Sequence, residues 1–393
     1  MKNKYRVKYI IMNITYEFLP GWRKVDCLLS YCSPNFKFSQ KVIITELENG
    51  LLMPNADCEI FRTHGKTFNI KPISEEFVKS AARPDVSLVI LSNQIKASAM
   101  GIVAIKIKLE QFIKKYNIPV LAFFALKPNR YAKPCTGMWK ILHTYYRTKG
   151  QASINAALLV SNNGGRTLAV KDKIKCDRGD FDRAFAHNCD IKYMSVTEYL
   201  GRNSERFEWS RKYIAPELRA ALIEKINSLP QFDIIAKINP EILNIICVYG
   251  APRSGKTTYI TETIDKFNEV YTDINLLPII DTVKRAFKRA ESILKDENSV
   301  IIEGHCTTAA QRAIWTDLGK KYTAQVLFVE VDPGISMAHI FNYAAVEKAS
   351  NEHVMLYPDS AYYTYKSDLE HPDAPLVYHP KIQVDDVISK YRF

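Results

Sequence analysis

Apolar and polar residues alternate along the first half of the chain in blocks that predict strands and helices in turn. Short, nearly continuous apolar runs are typical of strands buried on both faces of a sheet, and the stretches between them have apolar residues at helical spacing. This alternation indicates an α/β domain with a parallel sheet. The predicted strands are Lys41–Thr45, Ser87–Leu91, Val120–Ala125 and Ala157–Val160, and the predicted helices include Ile105–Tyr116 and Met138–Tyr146.

The same alternation begins again in the second half of the chain. Its predicted strands are Ile242–Tyr249, Val300–Ile302 and Gln325–Val331. A polar stretch that contains prolines, Asn227–Pro240, separates the two series, and 393 residues are enough for two domains. We therefore predict an α/β protein with two domains, residues 1–235 and residues 236–393.

Composition predicts a soluble protein with a polyanionic partner. Hydrophobic residues make up 47% of the chain, charged residues make up 24%, and no apolar run approaches the ~20 residues that cross a bilayer. The eight cysteines include no CxxC pair, which predicts reduced thiols in the cytoplasm or nucleus. A net charge of +12 favours nucleic acid as a partner, because lysines and arginines release counterions when they bind phosphates.

The strongest motif is a phosphate-binding loop in the second half. Residues 250–257, GAPRSGKT, fit the pattern GxxxxGK[ST] between a predicted strand, Ile242–Tyr249, and a predicted helix, Thr257–Phe267. Such a loop binds phosphate through backbone N–H groups at a helix N-terminus. A glycine-rich turn without a ligand is the alternative, and the strand and helix on either side argue against it. The predicted nucleotide-binding residues are Gly250, Arg253, Ser254, Gly255, Lys256 and Thr257.

The chemistry of this loop implies ATP and Mg²⁺ as cofactors of the second half. Lys256 would reach the β- and γ-phosphates, and the Thr257 hydroxyl would be a Mg²⁺ ligand. Asp273 is the nearest candidate for a catalytic base, and Glu303 ends a predicted strand where a carboxylate could approach Mg²⁺ or the acceptor. Phosphoryl transfer also needs cations, but residues 313–391 contain no arginine.

Several strings resemble the polynucleotide kinase 3'-phosphatase family. LVILSNQ at residues 88–94 and KPCTGMW at residues 133–139 resemble the family's LVIFTNQ and RKPxTGMW. DRAFAHN at residues 182–188 resembles its DRxFAxN, and the stretch from His353 to Pro372 resembles its C-terminal segment. The resemblance implies a haloacid-dehalogenase-like, doubly wound parallel sheet in residues 1–235 and a P-loop kinase domain in residues 236–393.

The phosphatase half departs from the family at its reactive positions. Phosphatases of this type attack phosphate with the first Asp of DxDGT and protonate the leaving group with the second, where this chain has Glu46 and Glu48. The extra methylene displaces each carboxylate by about 1.5 Å, and a displacement of about 1 Å can cost 10²-fold in rate. Asn162 occupies the position of the metal-binding Asp, which removes a charge from a Mg²⁺ site. Ser92 and Lys133 match the phosphate-holding residues.

The kinase half departs from the family as well. The family's catalytic base aligns near Asn275 or Leu276, so Asp273 would have to act from a shifted position. Glu303 begins the string EGHC where the family has DNTN, and the family's lid arginines align with residues 337–345, which contain none.

These departures predict a pseudoenzyme. The phosphatase half would be inactive and bind no cofactor, the kinase half would at most bind nucleotide, and the fold would be kept as a scaffold for nucleic acid or protein. A composition typical of AT-rich genomes is compatible with a structural component of a large DNA virus, which would place the protein in a virion, cytoplasm or nucleus. The alternative is an active 5'-hydroxyl polynucleotide kinase with an inactive 3'-phosphatase domain, which the complete phosphate loop favours.

Two further alternatives stay open at this stage. A kinase of small nucleotides is the third reading, and KPCTGMW argues against it. Lys127, Arg130, Tyr131 and Lys140 are candidate nucleic-acid contacts, or they form a solvated face with no ligand.

Overall fold

The chain divides into two compact units, and each consists of more than one segment. The first unit comprises Met1–Tyr213, Ala345–Leu356 and Lys390–Phe393, and the second comprises Ile214–Ala344 and Tyr357–Ser389. The computed structural model describes residues 8–11, 14–48, 50–53, 71–72, 75–95, 97–165, 167–170, 173–176, 179–202, 216–230, 232–270, 274–277, 282–351, 353–371 and 376–392.

This division differs from the boundary that the sequence predicts at residues 235 and 236. The helix Pro216–Ser228 belongs to the second unit, because Ile223 and Ile226 pack in one buried apolar cluster with Met337 and Ile340. Two segments near the C-terminus belong to the first unit.

The first unit is built on strands and helices that alternate along the chain. Its strands are β1 (Lys8–Ile11), β2 (Ile14–Glu17), β3 (Trp22–Val25), β4 (Leu28–Cys32), β5 (Lys41–Thr45), β6 (Leu52–Met53), β7 (Lys71–Pro72), β8 (Val86–Asn93), β9 (Val120–Ala125), β10 (Ala156–Val160), β11 (Thr167–Val170), β12 (Lys173–Cys176) and β13 (Lys192–Met194). Its helices are α1 (Glu75–Ala81), α2 (Ala99–Tyr116), α3 (Gly137–Tyr145), α4 (Phe181–Asn188) and α5 (Val196–Tyr199).

Seven of these strands form one sheet in the order β13-β10-β5-β8-β9-β4-β3. The first five are parallel to one another, and β4 and β3 add an antiparallel edge. Successive residues of the central strands enter two different buried clusters: Ile43 and Ile90 lie in one, and Ile44 and Val89 lie in the other. Burial on both faces is the reason that these strands read as continuous apolar runs.

The second unit has a five-stranded sheet that is parallel throughout, in the order β15-β16-β14-β17-β18. Its strands are β14 (Asn244–Tyr249), β15 (Ile274–Leu277), β16 (Ser299–Glu303), β17 (Gln325–Val331) and β18 (Leu376–Tyr378). The helices of the second half are α6 (Pro216–Ser228), α7 (Lys256–Val270), α8 (Val283–Lys295), α9 (Ala309–Tyr322), α10 (Ile335–Lys348), α11 (Asp359–Asp368) and α12 (Asp386–Lys390).

The predicted fold class, α/β with parallel sheets, is confirmed. The longest predicted helix of the first half begins earlier than its apolar periodicity indicates, at Ala99, because the Ser98 side chain accepts a hydrogen bond from Gly101 N and caps the helix. Six cysteines among the described residues have free thiols, and four of these are buried. No helix in the described part of the chain is long and apolar enough to cross a membrane.

Candidate phosphate-binding sites

Three candidate residues of the first unit lie at one edge of its sheet. Glu46 directly follows β5, Ser92 is the penultimate residue of β8, and Asn162 lies just beyond β10. These strands are parallel neighbours in register, so their carboxyl ends meet at the same edge. In open α/β sheets, ligands bind in the crevice outside the carboxyl ends of the strands.

A buried lysine holds two carboxyl groups together at this edge. Lys133 forms an ion pair with Asp182, lies 3.6 Å from Glu46 Oε1 and donates a hydrogen bond of 2.8 Å to Leu91 O. The exposed fractions are 3% for Lys133, 7% for Glu46 and 0% for Asp182. We refer to Glu46, Lys133 and Asp182 as the Lys133 cluster.

The cluster favours a protonated Glu46. Burial, with the charge of Asp182 as the second cause, raises the pKa of Glu46 from 4.5 to about 8, and the nearby Lys133 offsets this only in part. Burial alone would lower the pKa of Lys133, but the charges of Asp182 and Glu46 outweigh it and the pKa rises. The cluster therefore combines an ammonium group whose charged form is favoured with a glutamic acid whose protonated form is favoured.

Glu46 also accepts two longer hydrogen bonds from β8. The Ser92 hydroxyl and the Asn93 N–H each lie 3.3 Å from Glu46 Oε1. Gln94 Nε2 donates to Ser92 Oγ at 3.1 Å. The candidate phosphate-holding hydroxyl is thus bonded within the protein.

Glu48 is paired away from the cluster. Its Oε1 lies 2.5 Å from the Lys108 ammonium group, and the Lys108 side chain, on α2, is buried. This pair turns the Glu48 carboxyl group towards α2 and away from Glu46 and Lys133.

Asn162 uses its side-chain oxygen within the protein as well. Val196 N, at the start of α5, donates to Asn162 Oδ1 at 3.3 Å. The donor set does not fit a divalent cation: an ammonium group lies between the two carboxyl groups of the cluster, and the described residues include no group of three or more His, Cys, Asp or Glu side chains arranged to hold a metal.

Asp182 was not singled out from the sequence as a site residue. It lies in the DRAFAHN string, at the start of α4, and is fully buried. An aspartate in the first turn of a helix usually reads as a residue that stabilises the helix dipole. Only the fold brings it to Lys133, 49 positions earlier in the chain.

The KPCTGMW string anchors another part of the first unit. The buried Glu347 carboxylate accepts hydrogen bonds from Thr136 N at 2.8 Å and from Thr136 Oγ1 at 2.5 Å, and it pairs with Lys140 at 2.6 Å. Arg130 donates to the backbone oxygens of Ala349 and Ser350. The Arg130 guanidinium also lies 5.5 Å from the centroid of the Tyr131 ring, so three of the four candidate nucleic-acid contacts, Arg130, Tyr131 and Lys140, have partners within the protein.

The phosphate loop of the second unit connects β14 to α7. Gly250 has φ +155° and Gly255 has φ +98°, a region that disfavours side chains. A Cβ atom on Gly250 would lie 2.4 Å from Val331 O and 2.6 Å from Ser254 Oγ. Glycine is therefore required at the start of the loop by its conformation and by its contacts.

Lys256 begins α7 and points back along the loop. Its ammonium group donates to Gly250 O at 3.0 Å and to Ala251 O at 2.8 Å, and the residue is 9% exposed. Burial lowers the pKa of Lys256 to about 8. Ser254 Oγ is also buried and has no hydrogen-bond partner among the described residues.

Thr257 and Glu303 lie next to each other at the end of the sheet. The Thr257 hydroxyl donates to Glu303 Oε1 at 2.9 Å, and Glu303 ends β16, the parallel neighbour of β14. A hydroxyl and a carboxylate beside a phosphate loop are oxygen donors of the type that Mg²⁺ takes in nucleotide sites. The oxygen atoms of these two residues suit Mg²⁺. They would hold the metal, and the metal would neutralise phosphate charge.

Asp273, the other predicted kinase residue, lies outside the described residues. Residues 337–345, where lid arginines would align, lie within α10 instead of in a solvated lid. Met337, Ile340 and Ala344 of this helix are buried with Ile223 and Ile226 of α6. The segment supplies apolar packing to the second unit, so its lack of arginine matches its environment.

Comparison with known proteins gives matches over most of the chain. Residues 41–200 match the model of the family described as Polynucleotide kinase 3 phosphatase. The bifunctional polynucleotide phosphatase/kinase of Schizosaccharomyces pombe is 22% identical over 365 residues, which cover 89% of this chain and 81% of that protein.

Solved structures give only distant matches. Chaetomium thermophilum Kti12 in complex with ADP-AlF3 is 15% identical with a TM-score of 0.29, and covers 37% of this chain and 93% of its own. A sugar kinase from Janibacter sp. is 17% identical with a TM-score of 0.24, and covers 34% of this chain and 84% of its own. Scores this low do not establish a common fold.

Proposed function

Because the chain is a polynucleotide kinase 3 phosphatase-like family member, we propose that it is a divergent one, in which the first unit does not hydrolyse phosphate esters and the second unit binds ATP. In this proposal the first unit is a haloacid-dehalogenase-like domain without cofactor, and the second is a P-loop kinase-like domain. The fold serves as a scaffold for nucleic acid or protein. A location in cytoplasm, nucleus or virion stays a prediction.

The Lys133 cluster is the observation that carries the first part of the proposal. Attack on a phosphate ester needs an ionised carboxylate, and the pKa of Glu46 is raised to about 8. The Lys133 ammonium, which would have to hold the substrate's phosphate, is already bonded to Asp182 and Leu91 O.

Glu48 supports the same conclusion. A general acid has to carry its proton to the leaving group, and Glu48 instead faces the buried ammonium of Lys108. The pKa of the nucleophile is raised and the candidate acid is bonded to a lysine, and neither arrangement favours hydrolysis.

The phosphate loop supports the second part of the proposal. The loop that leads into α7 contains Lys256, the buried Ser254 hydroxyl and glycines at positive φ, and Thr257 and Glu303 would hold Mg²⁺. In this account the loop N–H groups bind the phosphates, Lys256 pairs with the β- and γ-phosphates, and the metal offsets their charge.

The proposal is tested by incubating the full chain with a 3'-phosphorylated oligonucleotide and Mg²⁺ and measuring the phosphate released. We expect no more release from the wild-type chain than from the Glu46→Gln variant. Release by the wild type that Glu46→Gln abolishes would show that Glu46 acts as a nucleophile, and the first part of the proposal would fail.

An active 5'-hydroxyl polynucleotide kinase is the second candidate, and the Thr257–Glu303 pair is the observation that favours it. A scaffold that only needed a rigid loop would not need a metal-binding pair beside it. In this candidate Asp273 is the base and the polynucleotide 5'-hydroxyl is the acceptor. Label transfer from ATP to a 5'-hydroxyl oligonucleotide distinguishes the two candidates, since the scaffold predicts none.

A further inference from the structure

Arg253 is the one residue of the phosphate loop whose charged side chain is not explained by the packing of the loop. It has φ +60°, in the left-handed region that disfavours residues other than glycine. Residues in such conformations cost free energy and cluster at ligand-binding positions. The side chain is half-buried, and its Nε atom is buried without a hydrogen-bond partner among the described residues.

An aromatic ring holds the guanidinium group in place. The Cζ atom of Arg253 lies 5.4 Å from the centroid of the Tyr357 ring. The backbone of Tyr357 is fixed by two hydrogen bonds of 3.1 Å to the side chain of Asn342, which is buried. A guanidinium group over an aromatic ring is attracted to the face of the ring, and its N–H edges are left for a planar or anionic partner.

Arg312, in the same unit, is an arginine with a structural role and serves as a comparison. It is buried, and its Nη1 atom donates to the backbone oxygens of Cys306 at 3.2 Å and Thr307 at 2.9 Å. Its charge is used to hold a loop. Among the described residues Arg253 has no comparable pair of backbone acceptors, so its donors are available to a ligand.

The position of Lys256 indicates which part of a bound nucleotide Arg253 would meet. A phosphate-loop lysine pairs with the β- and γ-phosphates. In this chain the Lys256 ammonium lies against Gly250 O and Ala251 O, in the first half of the loop. Arg253 belongs to the same loop, three residues before Lys256, so a guanidinium group and a lysine are both available to a terminal phosphate held by the loop.

We propose that Arg253 is a specificity-determining residue that binds the terminal phosphate of a nucleoside triphosphate and makes the loop prefer ATP to ADP. The inference rests on the proposed nucleotide binding of the second unit. Residues 313–391 contain no arginine. In this inference the loop itself supplies the guanidinium group. Tyr357 is a positioning residue that acts through Arg253.

The test measures dissociation constants for ATP and ADP with Mg²⁺, by titration calorimetry on the full chain. Arg253→Gln is expected to weaken ATP binding by about tenfold or more, because a charge-assisted hydrogen bond is lost, and to leave ADP binding nearly unchanged. Arg253→Lys is expected to lie between the two, because an ammonium group keeps the charge but not the fork. Thermal unfolding without nucleotide shows whether each variant is folded.

The ratio of the two dissociation constants separates this role from a structural one. A loop that is merely distorted would lose ATP and ADP equally, and that result, or an unchanged ATP affinity, would overturn the inference while leaving nucleotide binding intact. Lys256→Ala is the control for the site, since it should weaken both nucleotides. If the wild type binds neither nucleotide in a Lys256-dependent way, the proposed function of the second unit fails and this inference fails with it.

Discussion

Replacing Lys133 with methionine is expected to lower the free energy of unfolding of the first unit by about 3–5 kcal/mol, because it leaves buried carboxyl groups without their cation. Asp182 is fully buried and Glu46 nearly so, and neither can turn to water. The cost should be smaller at pH 5 than at pH 8, because Glu46, whose pKa is raised to about 8, is uncharged at the lower pH. Urea denaturation of the full chain, followed by circular dichroism, measures the change.

Two further variants show whether the loss comes from the cluster. Adding Asp182→Asn to Lys133→Met removes the uncompensated charge and should recover part of the stability. Lys41→Met removes an exposed lysine that pairs with Asp85 at 3.4 Å on the surface, and should change nothing measurable. If Lys133→Met and Lys41→Met were equally mild, the cluster would not be the buried ion pair described here.

Replacing Gly250 with alanine is expected to weaken ATP binding by about 100-fold, because the loop N–H groups make charge-assisted hydrogen bonds to phosphate and more than one would be lost. The new Cβ atom would lie 2.4 Å from Val331 O, a backbone atom of β17 that cannot move without the strand. The loop must therefore shift. Titration calorimetry with ATP and Mg²⁺ on the full chain measures the affinity.

Gly334→Ala is the matched control for this prediction. Gly334 also has a positive φ, +81°, but a Cβ atom there would meet nothing within 4 Å. The control variant shares the backbone strain without the clash, and its ATP affinity should stay at the wild-type value. Equal losses in the two variants would mean that backbone strain, and not the fit of the loop against β17, sets the affinity.

The strand and loop positions were predictable because they depend on neighbours in the sequence. The central strands are buried on both faces and so read as apolar runs, and the GxxxxGK[ST] pattern lies between a strand and a helix as it does in the structure. Glu303 could be placed beside the loop because it ends a strand, and parallel strands end at one edge.

The partners of the charged residues were not predictable from the sequence. Asp182 meets Lys133, Lys108 meets Glu48, and Glu347 meets Thr136, all across separations that only the fold closes. The sequence shows only that Glu46 and Glu48 have longer side chains than the family's two aspartates. The structure adds that Glu46 lies in a cluster that favours its protonated form.

The burial of residues 337–345 changes how their lack of arginine is interpreted. From an alignment with the family, the lack of arginine in residues 337–345 reads as a lost catalytic feature. In the structure the same segment is part of a helix whose Met337, Ile340 and Ala344 are buried, so arginine there would place a charge in the apolar core. The phosphate loop contains a guanidinium group, that of Arg253, which no alignment with the lid points to.

The protonation of Glu46 is the central claim, and carbon-13 NMR of glutamate carboxyl groups tests it directly. The Glu46 signal is assigned by its loss in the Glu46→Gln variant and followed from pH 4 to pH 10. A carboxyl group whose pKa is raised on folding binds its proton more tightly in the folded state, so that folding is most favoured at low pH and this contribution is lost as the pH rises towards about 8. We expect the signal to titrate with a midpoint near pH 8. A midpoint near 4.5 would show an ionised Glu46 at neutral pH and would contradict the account.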